Sequence, residues 1–214
     1  MKLNYGVIGT GMMGCEHIRN LKKIPDVSIV AIADPNEESR TWALKACEDK
    51  FKIRLYEDYK ELLAQKDIDV VVVASPNFTH IEVMRELFKT DKHVLLEKPM
   101  CTNLSDGLEV LRKSKEHKGL VWIGLEYRFM SPIQSLINHI EKIGDIRMLS
   151  IREHRFPFLK KVGNWNRFNE NTGGTLVEKC CHFFDLMNLI VPSKPVKVYA
   201  SGGQDVNHLD EKYD

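Results

Sequence analysis

The chain has 214 residues, 43% of them hydrophobic and 29% charged, and none of its apolar runs approaches the roughly 20 residues that cross a bilayer. Lys and Arg number 31 against 30 Asp and Glu, so there is no charge excess that would attract nucleic acid or an anionic membrane. Five cysteines without paired CxxC spacing favour neither a disulfide framework nor structural zinc. We therefore expect a cytoplasmic protein whose partner is a small molecule.

Residues 1–122 alternate short β-branched runs with longer amphipathic runs, which is the pattern of parallel strands joined by crossover helices. The strand runs are almost continuously apolar, as expected for strands that are covered on both faces. The predicted strands are LNYGVIG, VSIVAIAD, DVVVVASP, KHVLLEKP and LVWIGLEY. The predicted helices are GCEHIRNLKKI, NEESRTWALKACEDK, YEDYKELLAQK, HIEVMRELFKT and SDGLEVLRKSKEHK. The first half is therefore predicted to be an α/β domain.

A glycine-rich turn follows the first predicted strand, with Gly9, Gly11 and Gly14 at the positions of a GxGxxG motif. This motif alone is weak, but the second strand ends at Asp34, 20 residues after Gly14, where a carboxylate can bind both ribose hydroxyls. The sequence therefore predicts a dinucleotide site, and Asp34 favours NAD over NADP because it repels a 2′-phosphate. Arg40 could weaken that preference or simply be a solvated helix residue.

Two further strand ends are expected at the same edge of the sheet, where open α/β sheets bind ligands. After the DVVVVASP strand, Pro76 and Asn77 would form a turn over the cofactor, and His80 would either reach it or be a half-exposed helix residue. In LLEKP, Pro99 restricts the preceding residue to extended geometry and so directs Lys98 into the crevice. The alternative for this lysine is a solvated surface ammonium.

Charged residues interrupt the apolar run TGGTLVEKCCHFFDLMNLIV in the second half. On a continuous helix Glu178, His182 and Asp185 occupy positions i, i+4 and i+7 and form one stripe, with Lys179 well off it. The stripe is either the solvent-facing edge of an amphipathic helix or the wall of a pocket. In the second case His182 is a proton acceptor with a near-neutral pKa, held by the two carboxylates.

Metal binding and thiol chemistry are competing uses of this segment. A catalytic zinc site typically needs three protein ligands, and no HExxH pattern is present, so no metal is expected. Cys180 and Cys181 lie off the predicted polar stripe, which favours packing roles for both.

The motifs GVIGTGMMG, ASPNFTH, LLEKP, EYRF and GGTLVEKCCHFFDL occur in the order and approximate spacing of one known family. Over essentially its whole length the chain resembles the glucose–fructose oxidoreductase, inositol dehydrogenase and rhizopine-catabolism family. The resemblance implies a Rossmann domain over residues 1–122 and a second α/β domain with a mainly antiparallel sheet over residues 123–214. That second domain would be incomplete, because typical members are longer and only IRMLSIREH and VKVYASG suggest its strands.

The resemblance also implies an activity, namely NAD(P)-dependent hydride transfer to or from a secondary hydroxyl of a sugar, cyclitol or related polyol. The implied catalytic residues are Lys98, His182 and Glu178, although the family usually has Asp at the last position. The implied cofactor-binding residues are Gly9, Thr10, Gly11, Met12, Met13, Gly14, Asp34, Ser75, Pro76, Asn77, His80, Glu97, Lys98 and Arg128. The implied substrate-binding residues are Lys98, Tyr127, Trp165, Arg167, Glu178 and His182.

Three alternatives to this activity stay open at the level of the sequence. The same fold serves in regulatory proteins that bind dinucleotides or sugars without turnover, because fold does not fix function. A truncated chain could instead be inactive, or it could be an assembly partner, since relatives associate through the sheet of the second domain. The full-length protein is expected to be a homo-oligomer.

Overall fold

The computed structural model describes residues 2–47, 53–154 and 161–203. Its sheet has six strands in the order β3-β2-β1-β4-β5-β6, and every pair is parallel. The strands are β1 (Leu3–Ile8), β2 (Val27–Ala33), β3 (Arg54–Tyr56), β4 (Val70–Val73), β5 (His93–Glu97) and β6 (Val121–Gly124). All five predicted strands are confirmed, and the short edge strand β3 is an addition that its three residues did not signal.

Ten α-helices connect and follow these strands in the described ranges. They are α1 (Met12–Leu21), α2 (Glu37–Cys47), α3 (Tyr59–Leu63), α4 (His80–Leu87), α5 (Leu104–Ser114), α6 (Ser131–Asn138), α7 (Ile140–Ile143), α8 (Asn169–Thr172), α9 (Thr175–Glu178) and α10 (Cys181–Ile190). Short 3₁₀ segments cover Asn77–Thr79, Glu126–Phe129 and Val162–Arg167, and the last of these is kinked at Gly163 and Asn164. None of the helices in the described part of the chain is long and apolar enough to cross a membrane.

The central strand β4 explains why the sheet is covered on both faces. Successive side chains of a strand point to opposite faces. Val71 and Val73 join a buried cluster that contains Met84, whereas Val72 joins a second cluster that contains Ile18. Full burial of such aliphatic side chains contributes about 1.5–3 kcal/mol each, so two layers of helices hold the sheet between them.

The strand order places a crevice at one edge of the sheet. β1 pairs with β2 on one side and with β4 on the other, so the chain reverses its direction of progress across the sheet at β1. Ligands of open α/β sheets bind outside the carboxyl ends of the strands at such a switch point. The loops that follow β1, β2, β4 and β5 therefore gather at one potential site.

The predicted antiparallel sheet of the second domain is wrong for the described residues. Residues 146–154 and 196–202 contain no strand, and the six-stranded parallel sheet is the one sheet formed by the described ranges. Met148, Val196, Val198 and Tyr199 are 86%, 99%, 83% and 90% exposed. Alternating apolar residues form a strand where a partner strand completes the ladder and a core covers one face, and within the described ranges these segments have neither.

Candidate active site

Three glycines shape the turn between β1 and α1. Gly9 has a φ of +83°, and a Cβ at this position would lie 2.3 Å from the backbone nitrogen of Ser75. A Cβ on Gly14 would lie 2.0 Å from the carbonyl oxygen of Gly9, so both positions require glycine for close backbone packing. Gly11 differs, because a Cβ there would meet no described atom within 4 Å. The space beside Gly11 therefore allows a ligand to approach the backbone.

The beginning of α1 is suited to an anion. Gly11 is the N-cap residue, no side chain caps the helix, and its first turn carries no acidic residue. The first N–H groups of a helix have no partner within the helix, and its dipole favours negative charge at this end. The exposed side chains of Met12 and Met13 flank the same turn. This donor set fits the pyrophosphate of a dinucleotide.

Asp34 lies directly after β2 and connects the second strand to the glycine-rich turn. Its Oδ2 accepts a hydrogen bond from the backbone N–H of Thr10 at 2.7 Å, and its Oδ1 accepts one from the N–H of Asn36 at 2.9 Å. A carboxylate has about four lone-pair sites, so both oxygens can still accept from ribose hydroxyls. Arg40 donates to the Asp34 carbonyl oxygen at 2.6 Å and to Glu57 at 3.0 Å, so its guanidinium is engaged by the protein.

Two buried polar atoms lie in the loops around the same crevice. The Thr10 hydroxyl and the Asn77 side-chain nitrogen have no hydrogen-bond partner in the described part of the chain. Buried polar groups are normally hydrogen-bonded, and a dinucleotide carries many acceptors. Ser75 and Pro76, which were predicted to face the cofactor, form the turn before Asn77 and accept hydrogen bonds from the Thr79 hydroxyl. The residues at this edge therefore fit NAD.

His80 joins two loops of the site. It is fully buried, with Nδ1 2.9 Å from the carbonyl oxygen of Pro99 and Nε2 3.1 Å from that of Ser75. Burial lowers its pKa, although both carbonyl contacts act in the opposite direction. The half-exposed histidine that the sequence allowed is therefore wrong, and contact with a cofactor stays a prediction.

Lys98 and Glu97 lie at the carboxyl end of β5. Lys98 donates through Nζ to the backbone oxygen of Glu178 at 3.1 Å, so the β5 loop contacts the second half of the chain. Glu97 is buried, with Oε1 2.7 Å from Nε2 of His17 and Oε2 accepting from the Lys98 N–H at 3.1 Å. Burial raises the pKa of Glu97, but the His17 contact and the Lys98 N–H outweigh burial and lower it overall. Lys98 is not the solvated surface ammonium of the alternative interpretation.

The continuous helix predicted around His182 is wrong. α9 ends at Glu178 and α10 begins at Cys181, and the Cys180 N–H turns back to the carbonyl oxygen of Thr175. The side chains of Glu178 and His182 are buried, so the segment is not a solvent-facing edge. Because the helix is interrupted, helical phase no longer separates Lys179 from the site, and its side chain is also buried.

His182 lies beneath the 3₁₀ turn that follows β6. The ring of Tyr127 stacks on the imidazole with centroids 4.1 Å apart and an interplanar angle of 9°, and Nε2 is 3.5 Å from Oε1 of Glu126. Burial, followed by the charges of Lys98 and Lys179, lowers the pKa of His182 to about 4. The predicted near-neutral pKa of His182 is therefore wrong.

Asp185 was predicted to hold His182, but its carboxylate pairs with Arg128. Its two oxygens accept from the guanidinium of Arg128, which ties the 3₁₀ turn to α10. Arg128 was predicted to bind the cofactor, and this pairing shows where its side chain is held. The position of a cofactor relative to it stays a prediction.

Trp165 and Arg167, both predicted to approach substrate, lie partly buried in the Val162–Arg167 turn. Trp165 makes an edge contact with Phe78 at 6.3 Å between ring centroids. The ammonium of Lys161 is 4.6 Å from the centroid of Trp165. Burial and the Lys98 charge lower the pKa of Lys161, and Glu178 raises it. This loop therefore adds a second lysine close enough to Lys98 for the two charges to interact.

Sequence reasoning missed four residues of the site, namely His17, Glu126, Lys161 and Lys179. His17 lies one turn after the glycine motif on α1, which is a signal that helical spacing could have supplied. The others face the site through contacts between segments distant in sequence, and no local pattern indicates them.

The described ranges contain neither a cluster of metal ligands nor an activated thiol beside His182. No group of three His, Cys, Asp or Glu side chains capable of holding a metal ion occurs in the described ranges. Burial raises the pKa of the Cys180 and Cys181 thiols, which disfavours the thiolate that nucleophilic chemistry requires.

Comparisons with known proteins agree with this geometry. The sequence profile of the Gfo/Idh/MocA oxidoreductase family, with an NAD-binding Rossmann fold, matches residues 3–125, and that of its C-terminal alpha/beta domain matches residues 137–213. An uncharacterised oxidoreductase, YrbE of Bacillus subtilis (strain 168), is 30% identical over 208 residues, which are 94% of this chain and 58% of that protein. Myo-inositol 2-dehydrogenase of Thermotoga maritima is 30% identical over 205 residues, with coverage of 94% and 58%.

A solved structure adds a ligand-bound relative. Myo-inositol dehydrogenase from Lactobacillus casei, in complex with NAD(H) and myo-inositol, has a TM-score of 0.62 at 28% identity and covers 66% of this chain and 42% of that one. The chain thus spans little more than half the length of the curated relatives above. With both family profiles matched, the chain belongs to the Gfo/Idh/MocA oxidoreductase family.

Proposed function

We propose that this protein is an NAD-dependent oxidoreductase that transfers a hydride between nicotinamide and a secondary hydroxyl of a sugar, cyclitol or related polyol. The observation that carries the proposal is the meeting of Lys98 and His182 beside the dinucleotide crevice. Lys98 donates to the backbone of Glu178 at 3.1 Å, and its charge is one cause of the lowered pKa of His182. Perturbed titratable groups that converge beside a cofactor crevice are typical of an active site.

The choice of NAD over NADP rests on Asp34. Its carboxylate lies at the end of β2, where it can accept from ribose hydroxyls and repels a 2′-phosphate. Arg40 does not offset this charge, because it binds the Asp34 carbonyl oxygen and Glu57. When bound, NAD supplies the hydride acceptor at C4 of its nicotinamide ring.

The protein side of the reaction is a proton transfer with charge stabilisation. Oxidation of a secondary alcohol breaks its C–H and O–H bonds. Bound NAD would accept the hydride, and His182 would accept the proton at Nε2 or Nδ1. The Lys98 ammonium stabilises the negative charge that develops on the substrate oxygen. Proton transfer by a positioned group contributes about 10²- to 10⁴-fold in rate. Reduction of the ketone uses the same groups in reverse.

The low pKa of His182 bears on the fate of the proton. An imidazole with a pKa of about 4 is neutral at physiological pH and ready to accept. Holding the proton near pH 7 would cost about 4 kcal/mol, since each pKa unit is about 1.4 kcal/mol. Glu126 offers a route away from the imidazole, because its oxygen is 3.5 Å from Nε2 and its side chain is 60% exposed.

A non-catalytic dinucleotide sensor is the second candidate function. It is favoured by the burial of His182, which is 1% exposed and covered by the Tyr127 ring. A sensor would bind NAD and show no turnover with any polyol. The expected homo-oligomer also stays a proposal, to be tested by light scattering as a function of protein concentration.

The first experiment is calorimetric titration of the 214-residue chain with NAD and with NADP. We expect saturable binding of NAD and weaker binding of NADP. The difference between the two affinities should be smaller in Asp34→Asn. The second experiment screens polyols and cyclitols for NAD reduction with wild type, Lys98→Met and His182→Gln. Lys89→Met is the matched control, because Lys89 forms a surface ion pair with Glu86.

Loss of turnover in both site variants but not in the control would support the dehydrogenase. Binding of NAD without turnover in any substrate would support the sensor. Equal turnover in wild type, Lys98→Met and His182→Gln would contradict the proposed roles of both residues.

A further inference from the structure

Lys179 is a buried lysine that the proposed reaction does not use. It lies at the interruption between α9 and α10 and is 6% exposed. Its Nζ donates a hydrogen bond to the hydroxyl of Tyr127 and is 3.6 Å from Oε1 of Glu153. Burial of an ammonium costs free energy unless it is paired, and an apolar side chain of similar length would fill the space without that cost. A lysine here therefore needs a reason other than packing.

The reason lies in what the Tyr127 ring contacts. One end of this side chain is attached to the 3₁₀ turn, which Arg128 ties to Asp185. Its flat face covers the imidazole of His182 at 4.1 Å with an angle of 9° between the rings. Aromatic pairs adopt a range of offset-stacked and edge-to-face arrangements, so stacking alone does not fix the relative position of the two rings. The hydrogen bond from Lys179 holds the hydroxyl end of the ring and so fixes both ends.

We propose that Lys179 is a positioning residue that holds the Tyr127 ring against the face of His182 and thereby fixes the plane of the imidazole. In this role Lys179 acts on His182 through Tyr127 and not on the reacting atoms themselves. The positioning itself is independent of the reaction. Its consequence for turnover rests on the proposed function, in which His182 accepts the substrate proton.

The charge of Lys179 acts on the same imidazole. After burial and Lys98, it is the next cause that lowers the pKa of His182 to about 4. The titratable and charged groups around the ring are Lys98, Lys179, Glu97, Glu126, Tyr127, Cys181 and Asp185. Lys179 thus keeps the imidazole both fixed and neutral, which are two requirements for a proton acceptor.

Proton NMR of the 214-residue chain tests the positioning without any requirement for turnover. The His182 ring signals are assigned by their loss in His182→Gln, and a ring stacked on the imidazole shifts them upfield. We expect Lys179→Met to reduce this upfield shift and Lys179→Arg, which keeps a cationic donor, to retain more of it. Tyr127→Phe keeps the ring but removes the hydroxyl, and it should reduce the shift in the same way.

A double variant separates positioning from charge. If Lys179 acts through Tyr127, then Lys179→Met should not alter the ring shift further in a Tyr127→Phe background. Loss of the Lys179 charge in that background should still raise the pKa of His182 from about 4 toward 6.5. An unchanged ring shift in Lys179→Met, or in Tyr127→Phe if the first variant fails to fold, would overturn the proposal.

The outcome for turnover is distinguishable from the outcome for positioning. Loss of the ring shift together with an acid limb of the pH profile that moves upward in Lys179→Met would support both proposals. Loss of the ring shift with an unchanged pH profile would support the positioning role and contradict His182 as the proton acceptor.

Discussion

Replacement of Gly11 by alanine should separate cofactor binding from folding. Gly11 has the extended φ of −67° and ψ of −158°, which alanine adopts, and the added Cβ meets no described atom within 4 Å. Loss of chain entropy in the unfolded state stabilises such a variant by about 0.4–1 kcal/mol. Alanine is a poorer N-cap than glycine by a similar amount, on the order of 0.5–1 kcal/mol. We expect the unfolding free energy to change by less than about 1 kcal/mol.

The effect on NAD binding should be much larger, because the Cβ would occupy the space that brings the phosphates close to the backbone. Extra atoms in a tightly packed contact cost about 1–3 kcal/mol. At about 1.4 kcal/mol per tenfold, that cost is a roughly 5- to 150-fold loss of affinity. Calorimetric titration with NAD measures the loss, and urea unfolding measures the stability of the same preparation.

Gly14→Ala is the matched control at the neighbouring glycine. Its Cβ would lie 2.0 Å from the Gly9 carbonyl oxygen, a backbone atom that cannot move without displacing α1. We expect a loss of stability of about 3 kcal/mol or more. Wild-type affinity in a folded Gly11→Ala variant would refute the proposed approach of the cofactor. A loss of stability equal to that of Gly14→Ala would refute the assignment of open space at Gly11.

Three further predictions concern the residues around the crevice. Burial lowers the pKa of His182 from 6.5 to about 4, so the unfolded chain binds more protons between these values. The unfolding free energy should therefore fall by roughly 3 kcal/mol as pH drops through that window, and His182→Gln should flatten this part of the urea-unfolding profile. His17→Gln weakens the 2.7 Å contact to buried Glu97, and should cost about 2 kcal/mol at neutral pH and less in acid, where the carboxylate is protonated. Equal losses at both pH values would contradict this explanation. Arg128→Met removes both hydrogen bonds to Asp185, and because the guanidinium is partly exposed, we expect a loss of only about 1 kcal/mol in urea unfolding. An unchanged unfolding free energy would show that the pair does not anchor the turn.

Most of the first half could be predicted from its sequence. The apolar runs and the amphipathic runs between them predicted five parallel strands, because burial on both faces leaves a pattern within each segment. The order of glycines, helix and Asp34 predicted the dinucleotide crevice for the same reason. These parts lie in one continuous segment that runs from the first strand to the residue after the second. Lys98 could be located because Pro99 restricts its backbone. Each of these inferences depends on local chemistry.

The second half shows where local patterns fail. The periodicity of residues 172–191 predicted one helix, but the backbone is interrupted after Glu178, so the expected phase of Lys179 was wrong. Residues 146–154 have the alternation of a strand, but the described part of the chain offers them no partner strand, and they form none. A hydrophobic pattern reports which side chains favour burial, and the surrounding elements determine whether burial is achieved.

The sequence by itself determined the parallel sheet, the glycine-rich turn and the residue types of the site. The tertiary structure determined which of those residues meet. It brought Lys98 to the backbone of Glu178, His17 to Glu97, and Tyr127 to both Lys179 and His182. These contacts join segments that are distant along the chain, and their energies depend on mutual burial and charge. No window of sequence contains both partners, so only the folded chain specifies the contacts.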